Sequence, residues 1–110
     1  MRRDQRESEG SGGPEATTED FERAAEVLRA LSHPVRLRII ELLGQGELCV
    51  KSLEGLLEIS QPAVSQHLTR LRYAGLIESE RRGHLVCYRL AKGSASRILS
   101  AALEESERSD

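Results

Sequence analysis

Residues 59–71 read Ile59-Ser60-Gln61-Pro62-Ala63-Val64-Ser65-Gln66-His67-Leu68-Thr69-Arg70-Leu71. They predict a helix from about Gln61 to Ala74, with Pro62 in the first turn, where its missing N–H costs nothing, and Gly75 as a left-handed stop. At 100° per residue Val64, Leu68 and Leu71 share one face, Gln66, Thr69, Arg70 and Tyr73 point away from it, and Gln61 and Ser65 lie on the flank. Two predicted strands follow, Leu76–Arg82 and Leu85–Leu90, around Arg82-Gly83-His84, a turn in which glycine supplies a positive φ. In these strands Leu85, Cys87 and Arg89 alternate with Val86, Tyr88 and Leu90. A helix with small polar side chains followed by a hairpin with a basic tip suits a DNA major groove and the neighbouring backbone.

Working outward, Phe21, Ala24, Ala25, Leu28 and Leu31 form a helical stripe that begins after a Thr17-x-x-Asp20 cap. A second helix is expected from about Ser32 to Gly44, with Pro34 in its first turn, Val35, Ile39, Ile40 and Leu43 inward, and Arg36 and Arg38 in water. Gly46–Cys49 reads as extended. A third helix over Val50–Leu57 should bury Leu53, Leu56 and Leu57. The last helix, about Ser94 to Ser106, carries Ala95, Ile98, Leu99, Ala102 and Leu103. The order ααααββα is mainly α with a small β-hairpin, a winged helix-turn-helix. Its first and last helices have apolar stripes with no place to go in a monomer, which predicts a homodimer through those helices.

The chain has 110 residues, room for one domain. Residues 1–16 are charged and Gly/Ser-rich and predict a disordered acidic tail; residues 17–107 form the expected DNA-binding and dimerisation domain. No apolar run is long enough for a signal peptide or membrane span, so a cytoplasmic protein is expected. Net charge is −2, yet residues 60–92 carry Arg70, Arg72, Arg81, Arg82, Arg89 and Lys92 against Glu78 and Glu80, a surplus of four positive charges. That places an electrostatic footprint for phosphates on the helix and hairpin. Three aromatics, Phe21, Tyr73 and Tyr88, are too few for a single-strand stacking platform. No nucleophile–base pairing with an oxyanion or phosphate loop is visible, so an enzyme is not expected.

LSHPVRLRIIELL, GELCV, ISQPAVSQHLTRL, AGLIESERRG and CYRL together resemble the ArsR/SmtB family of winged-helix repressors, in unbroken order over about residues 28 to 91. The resemblance implies a homodimer on a palindromic operator in double-stranded DNA, released or regripped when an effector binds. It implies base-reading roles for Gln61, Ser65 and Gln66, since glutamine suits adenine N6/N7 and serine donates or accepts. Thr69, Arg70, Arg81, Arg82 and His84 are the corresponding backbone and wing candidates. The alternative is an interaction subunit that controls transcription through a second regulatory protein.

The effector is less legible. The family's Cys-x-Cys metal site falls on Cys49 and Lys51 here, so its second thiolate is missing, and the last helix has no His or Asp for the family's other site. His33, His67 and His84 remain as isolated metal candidates, for which capping, packing and exposure are the competing readings. A second resemblance, to the nickel-responsive regulator of superoxide dismutase genes, suggests a divalent transition metal, nickel or zinc, as effector. Cys49 and Cys87 would be two free thiols in a reducing compartment. If Gly46–Cys49 joins the hairpin as a strand, they become a redox pair whose reversible disulfide distorts the DNA-binding unit.

Overall fold

A computed structural model of the chain describes residues 15–108; the predicted acidic tail lies, but for its last two residues, outside them. Eight elements follow in order: α1 (Thr18–Leu31), α2 (Pro34–Leu43), β1 (Leu48–Cys49), α3 (Val50–Leu57), α4 (Gln61–Tyr73), β2 (Ile77–Arg82), β3 (Leu85–Leu90) and α5 (Ala95–Arg108). The helix ends have local causes. Thr17 and Asp20 form a reciprocal capping box at α1, the Ser60 hydroxyl accepts from the Ala63 N–H at α4, and the His33 ring caps α2. The α4 helix ends with Gly75 at φ 78°, where the Gly75 and Leu76 N–H groups donate to the Arg72 and Leu71 carbonyls in a Schellman arrangement.

The core is one cluster under α4. Ile39, Ile40 and Leu43 of α2, Leu53 of α3, Val64, Leu68 and Leu71 of α4, and Ile77 of β2 are almost fully buried, with Leu31 and Leu99 closing its ends. The turn joining α3 to α4 holds Glu58 at φ 57°, the one non-glycine residue with positive φ among the described residues. That left-handed conformation costs an L-residue roughly 1–2 kcal/mol.

The hairpin forms as expected, with Gly83 at φ 68° in its turn. A third strand joins it: the sheet order is β1-β3-β2, antiparallel throughout, with Leu48 opposite Tyr88 and Cys49 opposite Cys87. The sulfurs of Cys49 and Cys87 are joined by a disulfide, which corrects the default expectation of two free thiols. Two further expectations are corrected. Leu56 is 49% exposed, because the short α3 turns only Leu53 fully into the core. Arg36 is half-buried rather than in water: its Nε donates to the Ala30 carbonyl at 2.5 Å, an acceptor left open near the end of α1.

The outer stripe of α1 is not covered by the other described residues. Phe21 is 67% and Leu28 56% exposed, and Leu103 on α5 is 51% exposed. Pro34, Leu37, Arg38, Glu41, Leu99 and Leu103 line an open apolar cleft of about 280 Å³ between α2 and α5.

Candidate nucleic-acid interface

Helix α4 is split cleanly between two environments. Its Val64–Leu68–Leu71 face is the floor of the core, and that burial fixes the rotation of the opposite face. On the outer face Gln61, Gln66 and Thr69 are exposed, while Ser65 is half-buried and its Oγ accepts from Gln61 Nε2 at 3.2 Å. None of these four carries a charge. Together they present amide and hydroxyl groups along one side of a helix of 13 residues, the chemistry that base edges in a major groove can pair with.

Arg70 behaves differently from the others. Its Nη2 lies 2.7 Å from Glu26 Oε2, so it ties α4 to α1. Glu26 also accepts from Arg29, and first that hydrogen bond, then the Arg70 charge, hold its carboxyl below the usual carboxylate range. Beyond it, the Arg72 guanidinium stacks over the exposed Tyr73 ring at 5.6 Å, a cation–π contact that leaves a positive group at the exposed end of the helix. Arg72 is one of the cations in the charge surplus of residues 60–92, and nothing in the sequence pattern marks its contact with Tyr73.

The wing sorts its cations by face. Alternation along β2 sends Arg81 and Arg82 to opposite sides of the sheet. Arg81 is exposed and makes no ion pair among the described residues, and His84 is exposed at the turn. Arg82 is occupied. Its Nε donates to Glu47 Oε2 at 2.8 Å, and its Nη2 donates to Glu47 Oε1 and Glu80 Oε1, each at 3.2 Å. The pairing raises the Arg82 pKa, chiefly through the Glu47 hydrogen bond, and lowers that of Glu47 for the same reason. Arg89 is likewise held by Glu78 and Glu80, each at 3.1 Å. Glu47 lies 35 residues from Arg82 in the chain, and no sequence signal marked it. With Glu26 and Glu47 drawn in, the surplus of four positive charges read from residues 60–92 falls to two.

Two of the three histidines come together. The His33 and His67 ring centroids are 4.4 Å apart; His33 Nδ1 accepts the Val35 N–H at 3.1 Å, and His67 Nδ1 lies 3.3 Å from Arg36 Nη1. Burial first, then the neighbouring His33 and Arg36, push the His67 pKa below its ordinary value. His84, on the wing turn, is not part of this group. Among the described residues no set of three His, Cys, Asp or Glu side chains is arranged to hold a metal ion. Cys49, which matches the first thiolate of the Cys-x-Cys site, has its sulfur bonded to Cys87. No helix of the described residues is long and apolar enough to cross a membrane.

Comparison with known proteins agrees with this geometry. Residues 33–79 match the family described as bacterial regulatory protein, arsR family. A biofilm growth-associated repressor from Agrobacterium fabrum is 44% identical over 82 residues, covering 72% of this chain and 70% of the relative. Among solved structures, HlyU from Vibrio cholerae superposes with a TM-score of 0.73 at 31% identity, covering 78% of this chain and 94% of that one; it has also been solved in a reduced form. The homodimeric winged helix-turn-helix DNA-binding domain Mb0332 from Mycobacterium bovis superposes with a TM-score of 0.71 at 29% identity, covering 79% and 81% of the two chains.

Proposed function

The chain belongs to the arsR family of bacterial regulatory proteins, and from that premise we propose that it represses transcription as a redox-responsive homodimer on a palindromic operator. DNA-binding regulation is the family's common activity, and its relatives are regulators rather than enzymes. The observation that carries the reading is the two-sided α4, whose buried Val64, Leu68 and Leu71 aim uncharged Gln61, Ser65, Gln66 and Thr69 outward. In this reading Gln61, Ser65 and Gln66 meet base edges, while Thr69, Arg81, Arg82 and His84 meet the backbone. Arg70 reaches phosphate only by leaving Glu26.

The homodimer is supported by Phe21, Leu28 and Leu103, whose burial against a second copy is worth roughly 1.5–3 kcal/mol for each side chain fully covered. The homodimeric state of Mb0332 points the same way. Two α4 helices related by a two-fold axis would enter successive major grooves about one turn, ~34 Å, apart. The redox response is supported by the disulfide between strand β1, at the foot of the helix-turn-helix, and strand β3 of the wing. A divalent metal, nickel or zinc, is the second reading, and the observation in its favour is the close pair of His33 and His67.

Fluorescence anisotropy on a duplex taken from upstream of the protein's own gene tests this. Peroxide-treated protein should differ from dithiothreitol-reduced protein by about tenfold or more in affinity, ~1.4 kcal/mol of coupling. A shift of that size with nickel or zinc, and none with peroxide, would replace the redox reading by the metal one. Specific binding indifferent to all of them would favour control through a second protein.

A further inference from the structure

We infer that Glu47 is the group through which the Cys49–Cys87 bond controls the wing: with the bond closed, Glu47 stays on Arg82 and withholds that guanidinium from DNA phosphate. The inference rests on the redox reading above and adds its route to the DNA.

Strand β1 is only two residues long, and two register pairs, Leu48 with Tyr88 and Cys49 with Cys87, hold it in the sheet. The covalent bond lies in the second pair, with the two Cα atoms 3.7 Å apart. Glu47 is two residues before Cys49, and the loop that leads to it contains Gly46 at φ 151°, backbone that glycine enters without a steric penalty. Opening the bond therefore removes the covalent restraint two residues from Glu47 and leaves a flexible approach to it.

The sheet puts the bond and the ion pairs on one surface. Cys87 is opposite both Cys49 and Glu80, and Arg89 is opposite Glu78, so alternation places Cys49, Cys87, Glu80, Arg82 and Arg89 on the same face. Cys87 is nonetheless almost fully buried. Arg82 spends Nε and Nη2 on Glu47 and Glu80, so a phosphate oxygen must compete with two carboxylates. Glu47 supplies two of the three bonds in a bidentate grip. Exposed ion pairs are individually weak, so a modest displacement of Glu47 is enough to let phosphate win.

The chemistry has an assigned direction. Cys49 is half-buried at the N-cap of α3, with no side-chain hydrogen bond of its own and with Lys51 in the first turn. Cys87 is almost fully buried whereas Cys49 is only half-buried, so Cys49 is the sulfur that meets an oxidant of the hydroperoxide class. The thiolate attacks the O–O bond of hydrogen peroxide, giving a sulfenic acid on Cys49 and one water after protonation of the departing hydroxide. The Cys87 thiolate then attacks the Cys49 sulfur, forms the S–S bond and expels a second hydroxide, which leaves as water. Two thiols lose two electrons and two protons, and one peroxide becomes two waters; a dithiol reductant reverses the step.

Salt titration of binding to a mixed-sequence 30-base-pair duplex tests the latch without knowledge of the operator. The full chain, Glu47→Ala and Arg82→Ala are each measured after dithiothreitol and after peroxide, with alkylated thiols counted by mass as two or none per chain. Reduced protein should show a steeper dependence of log affinity on log salt than oxidised protein, by about 0.9 per released wing. Glu47→Ala should show the reduced slope in both states, and Arg82→Ala the oxidised slope in both. If Glu47→Ala keeps the full redox difference of the native chain, the latch is wrong and the redox reading stands. If the native chain, its thiol count converted, binds with one affinity and one slope in both states, both are wrong.

Discussion

Helix α4 and the wing are adjacent, and they hold their polar side chains in opposite ways. On α4 the outward residues Gln61, Ser65, Gln66 and Thr69 have no acidic partner among the described residues, and Gln61 is linked to Ser65 by a hydrogen bond. On β2 and β3, Arg82 and Arg89 are held by Glu47, Glu78 and Glu80. The difference lies in what holds each surface in place. A buried apolar face fixes α4, so its uncharged groups are ready to read a sequence. The wing arginines are held by other side chains, and such contacts can be exchanged for phosphate. Selectivity then belongs to a rigid element and affinity to an adjustable one.

Several substitutions separate the two regions, the largest effect first. Leu68→Ala removes the centre of the α4 core face and should destabilise the fold by about 2–5 kcal/mol, measured by urea unfolding, with both binding terms lost together. Gln66→Ala should spare folding and non-specific binding but reduce discrimination between operator and scrambled duplex by about 1–3 kcal/mol. Arg81→Ala, on the wing face opposite the Arg82 and Arg89 ion pairs, should weaken all sequences alike and reduce the salt slope by about one, in either redox state. If Arg81→Ala changed sequence preference and Gln66→Ala did not, the division of labour would be reversed.

The smallest effect concerns the link between α4 and the helices behind it. The His67 pKa is lowered by burial and by His33 and Arg36, so the unfolded chain takes up its proton first as pH falls. The stabilisation is therefore complete above the ordinary histidine value near 6.5 and is lost as pH drops below it toward the folded value. His67 faces His33 and Arg36 of the α2 turn, and Arg70 on its own helix holds Glu26 of α1. The Tm of the native chain should thus fall between pH 7.5 and 5.5 by a few degrees more than that of His67→Gln.

Most of the fold was legible because it rests on local signals. The Thr17–Asp20 capping box, Pro34 and Pro62 in first turns, Gly75 and Gly83 at positive φ, and the Val64–Leu68–Leu71 spacing each act within a few residues. What escaped the sequence depends on distant partners. Arg36 looks like an outward residue by periodicity, and only the open Ala30 carbonyl draws it in. Arg70 is a phosphate candidate by its position on α4, and only the crossing of α1 puts Glu26 beside it. The pairing of Cys49 with Cys87 was an open alternative in the sequence, because it depends on β1 adding to β3 in one particular register. The Glu47–Arg82 contact follows from that same strand and carries no pattern of its own.

The most direct measurement is the affinity of the reduced 110-residue chain for a duplex from upstream of its own gene, compared with a scrambled duplex of equal length and salt. A sequence-reading α4 predicts tighter binding to the natural duplex by roughly three orders of magnitude or more. Equal binding to the two duplexes would contradict it.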